Sequence, residues 1–263
     1  MAIETGLRKA IARNEFDLHY QPQFECDTGK LIGFEALLRL HHPELGPLMP
    51  GSFLSIAEEN GSIVPIGAWV LETACAQAQA WRLQSSQHRL MAVNLSARQL
   101  QHPDIVQHVV TALHNSGLPA NCLELEITES VMMHKVDACI AVMHELAALG
   151  VEFSIDDFGT GYSSLAYLKK MPIKALKIDQ SFIRDIATDA GGAAIVSAIV
   201  AMSSTLGLRV VAEGIEDHAQ LAQLKAHDGI IGQGYLLGYP VAAQAMSALI
   251  EAAEAKTEHA ASL

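Results

Sequence analysis

Short runs in which hydrophobic and polar residues alternate recur along this chain, and most are followed by a segment of helical length. Residues 123–129 alternate as Leu-Glu-Leu-Glu-Ile-Thr-Glu, which predicts a strand with one buried face. In residues 66–84, Val70, Ala74 and Trp81 recur at helical spacing and predict an amphipathic helix. The unit of one strand and one helix returns at intervals of roughly thirty residues, although the sequence itself does not repeat.

The chain is expected to begin with a helix at 2–14 and an antiparallel hairpin whose turn lies at 27–30. Pro22, inside the first strand of this hairpin, favours the edge of a sheet. The predicted strands are 16–24, 31–40, 91–96, 123–129, 151–156, 175–179, 208–211 and 229–234. A loop is predicted at 41–51, and the later helices at 52–60, 66–84, 103–115, 136–149, 181–186, 190–208, 217–226 and 242–255.

Each predicted strand carries a polar residue near its carboxyl end. In a parallel barrel these ends converge on one mouth, so residues far apart in the sequence would form one site. The side chains expected to meet there are Glu35, Asn94, Glu126, Asp156, Asp157, Lys177, Glu213 and Gln233. If each were only a local cap or a solvated strand end, the same coincidence would have to recur in every unit. The pattern therefore predicts an α/β barrel with a convergent site.

Length and composition agree with one large domain. A single barrel of alternating strands and helices often reaches the 263 residues of this chain. Half of the residues are hydrophobic but only 5% are aromatic, so the core is expected to consist mainly of aliphatic side chains. The formal charge of −12 argues against a nucleic-acid duplex or an anionic membrane as partner. A small anionic substrate is still compatible with this charge if local cations reverse the electrostatic potential at its site.

The four cysteines lie far apart without a CxxC pair, which is typical of buried thiols in a reducing compartment. The first fifteen residues carry charges throughout and contain no apolar stretch of signal-peptide length. We therefore expect a cytoplasmic protein. Residues 190–208 contain no charged residue, but their glycines, serines and helical apolar spacing favour a barrel helix over a membrane span.

Two adjacent acids, Asp156 and Asp157, close an apolar run and precede Gly159 and Gly161. Neighbouring side chains of a strand point to opposite faces, so both acids can serve one centre only if the backbone bends, which the glycines would permit. Two ionised carboxylates so close together are stabilised by a divalent cation. The alternative is that one of them caps a helix beginning near residue 163.

The five carboxylates and the amide of Asn94 are hard oxygen donors, which favour Mg²⁺ or Mn²⁺ over zinc. Five negative charges exceed what one divalent ion neutralises, and two ions form the arrangement used to attack phosphodiesters. Lys177 would hold or deprotonate the attacking water, or would only neutralise the acids as an ion pair. Arg39 suits a phosphate oxygen but could simply pair with Glu35, which could itself belong to a surface salt bridge.

Seven ordered motifs resemble those of the EAL-domain cyclic di-GMP phosphodiesterases, and the resemblance covers nearly the whole chain, with a core at about 7–248 of a single domain 1–263. The motifs are Glu35-Ala36-Leu37 with Arg39, Val93-Asn94-Leu95-Ser96, Glu126-Ile127-Thr128-Glu129, Asp156-Asp157-Phe158-Gly159-Thr160-Gly161-Tyr162, Lys177-Ile178-Asp179, Ala212-Glu213-Gly214 and Gln233-Gly234-Tyr235.

The resemblance implies a modified TIM (β/α)8 barrel with one antiparallel strand that hydrolyses cyclic di-GMP, a bacterial second messenger, to linear 5′-pGpG. It implies two Mg²⁺ or Mn²⁺ ions, with Ca²⁺ inhibiting. The implied metal ligands are Glu35, Asn94, Glu126 and Asp156 for one ion, and Asp156, Asp157 and Glu213 for the other. The implied catalytic residues are Lys177, which contacts the attacking water, with Glu213 and Glu35. The implied substrate-binding residues are Gln21, Leu37, Arg39, Asp179 and Gln233.

The resemblance further implies a homodimer regulated by sensor domains, with Glu129 supporting the loop 157–165 that couples the site to the dimer interface. Three departures from the family pattern bear on substrate affinity. Leu40 stands where Trp is usual, Tyr239 where Lys or Arg is usual, and Asp228-Gly229-Ile230 replaces the usual approach to Gln233.

Two other functions compete with the phosphodiesterase. One is a cyclic di-GMP receptor that has lost turnover, but such receptors typically lack metal or base residues, and here all are present. The other is a different metal-dependent barrel hydrolase, which would share the acids without the ordered motifs. A dinucleotide loop at Gly232-Gln233-Gly234 is rejected because the glycine spacing is wrong.

Overall fold

Eight strands close into a barrel in the computed structural model, which describes residues 2–85, 87–129, 136–161 and 165–261. The strands are β1 Phe16–Glu25, β2 Leu31–His42, β3 Gly46–Leu48, β4 Leu90–Asn94, β5 Leu123–Thr128, β6 Glu152–Phe158, β7 Ala175–Ile178, β8 Arg209–Ala212, β9 Ile230–Gly232 and β10 Val241–Ala242. The barrel order is β1-β2-β4-β5-β6-β7-β8-β9, with β9 returning to β1. Short strands β3 and β10 extend the sheet beside β2 and β1.

Strand β1 runs antiparallel to both of its barrel neighbours, whereas the other barrel strands are mutually parallel. The predicted hairpin and the modified barrel with one antiparallel strand are therefore confirmed. Pro22 does not mark an edge, because β1 is paired on both sides. On one side of β1, His19 and Tyr20 pair with β10, and Phe24 and Glu25 pair with β9. Pro22 lies between these two pairings, where no backbone N–H is needed for a hydrogen bond to either strand.

The helices surround the barrel. They are α1 Ala2–Ala10, α2 Leu54–Asn60, α3 Ile63–Gln84, α4 Ala97–Leu100, α5 Ile105–Ser116, α6 Val136–Ala148, α7 Leu165–Leu168, α8 Gln180–Arg184, α9 Ala190–Leu206, α10 His218–Leu224 and α11 Ala243–Ala261, with 3-10 turns at Pro50–Ser52 and Ala120–Cys122. None of the described helices is long and apolar enough to cross a bilayer. Residues 190–206 form a surface helix, as their spacing predicts.

The alternating side chains of β5 face two different environments. Leu123, Leu125 and Ile127 are fully buried in the aliphatic core between the barrel and the helices. Glu124 and Glu126 point the other way and contact residues of β8 and β7, which are not neighbours of β5 in the sheet. Those contacts therefore cross the barrel interior.

Two local predictions require correction. The segment predicted as a loop at 41–51 begins with the last two residues of β2 and contains β3, because His42 pairs with Gly46 and extends the sheet. The pattern also missed α4, although Ser96 and Gln99 form a capping box at its start. The four cysteines are buried free thiols, as their spacing predicts.

Candidate active site

Lys177 lies at the centre of the barrel mouth, fully buried on β7. Its Nζ is 2.7 Å from Glu126 Oε2 and 2.7 Å from Glu213 Oε1. The same atom lies 3.4 Å from Asp156 Oδ1 and 3.6 Å from Glu35 Oε2. Carboxylates from four other strands or strand ends thus surround one ammonium group, as the convergence of the carboxyl ends predicts.

Burial and the attraction between opposite charges have opposing effects on the pKa values of Lys177 and the carboxyl groups around it. Burial alone would lower the pKa of Lys177, but the surrounding carboxylates raise it well above its ordinary value, so the side chain is a cation at neutral pH. Burial raises the pKa of Glu126 well above its ordinary range despite the attraction of Lys177. Burial and the charges of Asp156 and Glu35 raise the pKa of Glu213 to about 8. The centre therefore contains more carboxyl groups than its single lysine can keep ionised.

The two adjacent acids share one centre because of a bulge in β6. The pairing of β6 with β7 shifts register between Ile155 and Phe158, which leaves the two acids without partners in β7, although Asp156 still pairs with Thr128 of β5. Asp157 adopts the left-handed conformation with φ 55°, and its N–H donates to Asp156 Oδ1 at 3.0 Å. The backbone therefore bends at the acids, as predicted, with Asp157 and the following Gly159 both at positive φ. Both acids belong to β6.

Asp156, Asp157 and Glu213 form a cluster in which one carboxylate oxygen from each lies within 4.8 Å of the others. Burial, together with the charges of Asp156 and Asp179, raises the pKa of Asp157 to about 6. Glu126 Oε1 is buried and accepts no hydrogen bond within the described part of the chain. Such an atom is costly to bury unless a further partner binds it. These all-oxygen donors fit a hard divalent cation.

Glu35 is held in place by amide side chains. It is 5% exposed, which rules out the surface salt bridge considered from the sequence. Asn94 Nδ2 donates to Glu35 Oε1 at 2.7 Å, and Gln233 Nε2 donates to Glu35 Oε2 at 2.5 Å. Burial alone would raise the pKa of Glu35, but Lys177 and these two amides outweigh it and leave the pKa below its ordinary value.

The amide network continues into β1. Gln233 Nε2 also donates to Gln21 Oε1 at 3.1 Å, and Gln23 Nε2 donates to Gln233 Oε1 at 2.9 Å. Gln23 was missed from the sequence, although it stands two residues after Gln21 and therefore on the same face of the strand. The network fixes the orientation of the Gln233 amide and so of Glu35.

A cleft with two lobes opens above these groups. The larger lobe has a volume of about 820 Å³ and an apolar wall that includes Leu37, Leu54 and Ile66. The smaller lobe has a volume of about 340 Å³ and is mostly polar, with Asp179, Glu213 and Tyr235 among its lining residues. Three residues line both lobes, and these are Glu35, Asp157 and Gln180. Gln180 was not identified from the sequence.

The predicted substrate residues take different positions around this cleft. Gln21 and Gln233 line the smaller lobe, as Asp179 does, and Asp179 also caps α8 by accepting from Ser181 N at 3.0 Å. Arg39 forms no ion pair among the described residues, and its Nη1 donates to Leu38 O at 2.9 Å. Burial lowers the pKa of Arg39, whereas Tyr235 and Glu35 raise it, which places all three near one another.

Glu129 contacts the loop that follows the two acids. Its Oε2 accepts hydrogen bonds from Gly159 N and Gly161 N, both at 3.3 Å. The side chain is buried, and its Oε1 accepts no hydrogen bond from the described residues. Residues 162–164, the remainder of the predicted loop before residue 165, lie outside the described residues, as does the helix start predicted there.

The three departures from the family pattern lie in different environments. Leu40 is buried in the core between barrel and helices. Tyr239 is exposed and stacks on Tyr235 with ring centroids 4.7 Å apart. Asp228 and Gly229 precede β9, and Ile230 is its buried first residue. Of the three, Tyr239 contacts a residue that lines the cleft.

Comparison with known proteins gives one consistent result. The family profile described as EAL domain matches residues 4–240. The chain is 48% identical over 244 residues, 93% of its length, to the bifunctional diguanylate cyclase/cyclic di-GMP phosphodiesterase MucR of Pseudomonas aeruginosa, of which the match covers 36%. It is 42% identical over 96% of its length to the cyclic di-GMP phosphodiesterase NbdA of the same organism, of which the match covers 32%. The chain thus spans about a third of these relatives.

Solved structures share the fold. One described as the PaMucR phosphodiesterase in complex with c-di-GMP superimposes with a TM-score of 0.89 at 47% identity, over 94% of this chain and 100% of that one. The EAL enzyme Bd1971, in its form with cAMP and cyclic-di-GMP bound, superimposes with a TM-score of 0.89 at 35% identity, over 94% of this chain and 68% of that one.

Proposed function

This chain belongs to the EAL domain family, and on that premise we propose that it hydrolyses cyclic di-GMP to linear 5′-pGpG with divalent cations. The observation that carries the proposal is the position of Lys177. Its buried ammonium group contacts four carboxylates, next to the three acid oxygens within 4.8 Å of one another. Relatives that cover nearly the whole chain are phosphodiesterases of this dinucleotide by name.

The proposed ligands of the cations are the six residues predicted from the sequence. Glu35, Asn94, Glu126 and Asp156 would hold one Mg²⁺ or Mn²⁺, and Asp156, Asp157 and Glu213 the other. Two such cations would lower the pKa of water and neutralise charge on the phosphodiester oxygens. Among the described lining residues of the cleft there is no Lys or Arg. A substrate with two phosphates is thus repelled unless the acids are neutralised.

The protonation state of Lys177 decides whether it deprotonates the attacking water or only holds it. A general base must first be neutral, but the surrounding carboxylates keep this amine protonated. Lys177 therefore acts by donating hydrogen bonds to the attacking water and by holding Glu126 and Glu213 in position. The proton of that water must pass to another group, and Glu213, beside Lys177, would accept it once bound cations keep its carboxylate deprotonated.

The two lobes suit the two halves of a cyclic dinucleotide. The apolar wall at Leu37 offers a surface for one base, and the polar lobe contains Gln21, Asp179 and Gln233 for the other half. Arg39, which forms no ion pair among the described residues, would bind a phosphate oxygen. The role of Glu129 as support of the loop after Asp157, a homodimer, attached sensor domains and the extent of the single domain 1–263 are further proposals.

Chromatography of the nucleotide product tests the function. The chain with Mg²⁺ is expected to convert cyclic di-GMP to 5′-pGpG, and Glu35→Ala, Asp156→Ala and Lys177→Ala are each expected to abolish the conversion. Lys174→Ala, which changes an exposed lysine just before β7, is the matched control. Turnover that survives in all three variants would refute the mechanism. Tight binding of cyclic di-GMP without product would favour the receptor instead.

A further inference from the structure

A pair of stacked tyrosines stands at the edge of the smaller lobe. The rings of Tyr235 and Tyr239 are inclined by 20°, and their centroids are 4.7 Å apart. Tyr235 lines the lobe that contains Glu213 and Gln233. Both tyrosines are largely exposed, at 53% and 63% of the residue surface, although aromatic side chains usually bury most of their surface. An aromatic surface is therefore left available beside the acid cluster.

The backbone that carries this pair is fixed to the site. Gly234 has φ +159°, and a Cβ there would lie 2.2 Å from the backbone nitrogen of Ile215. Leu236 N donates to Ile215 O at 3.0 Å, two residues after Glu213. Gln21 Nε2 donates to Gly238 O at 3.0 Å. The segment 234–239 is thus bound on one side to the strand end that carries Glu213 and on the other to β1.

Packing against a second ring restricts the first. An isolated exposed tyrosine exchanges between rotamers, whereas a stacked partner favours one orientation of the ring. Tyr235 also influences the pKa of Arg39, so this aromatic ring lies in the neighbourhood of a guanidinium group that is not among the described lining residues of the cleft. A purine base joined to a phosphate needs this combination, because the base stacks on an aromatic face while its phosphate meets a cation.

We propose that Tyr239 is a positioning residue that orients Tyr235 as a stacking surface for one purine base of the substrate. The inference rests on the proposed function, since it takes the substrate to be a cyclic dinucleotide. It assigns a role to a position where this chain departs from the family pattern. Tyr239 is not among the described residues that line the smaller lobe, so it acts through Tyr235 on substrate affinity and base preference.

Steady-state kinetics of four variants test this inference. Tyr239→Ala is expected to raise KM for cyclic di-GMP about twofold to tenfold with kcat nearly unchanged. Tyr235→Ala, which removes the stacking surface itself, is expected to raise KM about tenfold. Tyr239→Phe keeps the ring and should restore the wild-type KM. Leu83→Ala removes an exposed apolar side chain outside the cleft and is the control.

A second substrate distinguishes stacking from a general loss of structure. Cyclic di-UMP carries smaller pyrimidine bases that stack less strongly, so the ratio of its KM to that of cyclic di-GMP should fall in Tyr239→Ala and recover in Tyr239→Phe. An unchanged ratio of the two KM values in Tyr239→Ala, or an equal rise of KM for cyclic di-GMP in Tyr239→Phe, would overturn the inference. The proposed function would still hold if the wild-type chain hydrolyses cyclic di-GMP. A wild-type chain that neither binds nor hydrolyses cyclic di-GMP would overturn both.

Discussion

Lys177 Nζ lies 2.7 Å from Glu126 Oε2 across the barrel interior, joining β7 to a strand with which it does not pair. Both side chains are essentially inaccessible to solvent. A buried ion pair contributes little net stability, but removal of one partner leaves an uncompensated buried charge. Loss of Lys177 therefore affects the fold as well as the proposed chemistry, and the two effects must be measured separately.

Lys177→Met is expected to lower the free energy of unfolding of the metal-free protein by about 3–5 kcal/mol, because Glu126 and Glu213 lose their shared cation. Excess Mg²⁺ should restore part of this loss without restoring hydrolysis. Urea unfolding in EDTA and in Mg²⁺ measures both values. Lys174→Met, at an exposed lysine, should change stability by no more than about 0.5 kcal/mol. Equal stability of the two variants in EDTA would contradict this account of the centre.

Glu126→Gln tests whether the buried carboxylate binds a cation. The amide keeps the size of the side chain and removes its charge, so the affinity for Mn²⁺ is expected to fall by at least about tenfold. Glu124→Gln is the matched control. Glu124 is equally buried on the same strand but pairs with Arg209 away from the cleft. Titration calorimetry with Mn²⁺ measures both variants, and a similar loss of affinity in Glu124→Gln would exclude a direct role for Glu126.

The raised pKa values of Asp157 and Glu213 predict how stability depends on pH. Burial and neighbouring charges move these pKa values to about 6 and about 8, so the folded metal-free protein retains protons that the unfolded chain has released. The contribution of these two acids to stability in EDTA is therefore largest below the ordinary carboxyl pKa and is lost as the pH rises toward 8. Cations bind the deprotonated acids, so stabilisation by Mg²⁺ should increase from pH 6 to pH 8.

Thermal unfolding at several pH values, with EDTA or with excess Mg²⁺, measures this dependence. The double variant Asp157→Asn, Glu213→Gln cannot release these protons, so its stability in EDTA should change less over the same interval. A stabilisation by Mg²⁺ that is independent of pH in the wild type would show that metal binding does not compete with protons at these acids.

Gly161 tests the support of the loop by Glu129. A Cβ at Gly161 would lie 3.0 Å from Glu129 Cδ and Oε1, so Gly161→Ala should displace the carboxylate or the loop. We expect Gly161→Ala and Glu129→Ala to lower hydrolysis by a similar factor and to increase cleavage by a protease near the loop. Glu145→Ala, at an exposed glutamate of α6, is the control. Wild-type turnover in both loop variants would show that the support of this loop by Glu129 does not affect hydrolysis.

The sequence predicts the barrel and the convergent acids because strand alternation and turn residues are local signals that the tertiary structure preserves. The bulge at Asp157 is different. Two adjacent acids show that a bend is needed at their position, and the glycines that follow permit it, but the sequence does not show that Asp157 itself takes the left-handed conformation. Aspartate is one of the few residues besides glycine that are enriched in that conformation, but the sequence does not indicate which of the two adjacent aspartates will adopt it.

The residues around the cleft that were missed from the sequence differ in whether a local signal could have indicated them. Gln23 could have been found from the period of two that links it to Gln21. Gln180 and Tyr235 could not, because each follows a strand end and reaches the cleft through a turn whose direction depends on packing. For Tyr235 that packing is the contact of Gly234 with Ile215, which only the assembled barrel brings together.

Calcium is expected to bind the site and to support little hydrolysis. The oxygens of Asp156, Asp157 and Glu213 are the ligand type that Ca²⁺ also accepts. Ca²⁺, however, prefers about 2.3–2.6 Å to oxygen and six to eight ligands, against about 2.0–2.1 Å and six for Mg²⁺. The larger ion would therefore separate the acids around Lys177. Ca²⁺ should raise the midpoint of thermal unfolding as Mg²⁺ does, and should inhibit the Mg²⁺-dependent reaction competitively. Full turnover in Ca²⁺ alone, with product formation followed by chromatography, would show that this spacing does not limit the reaction.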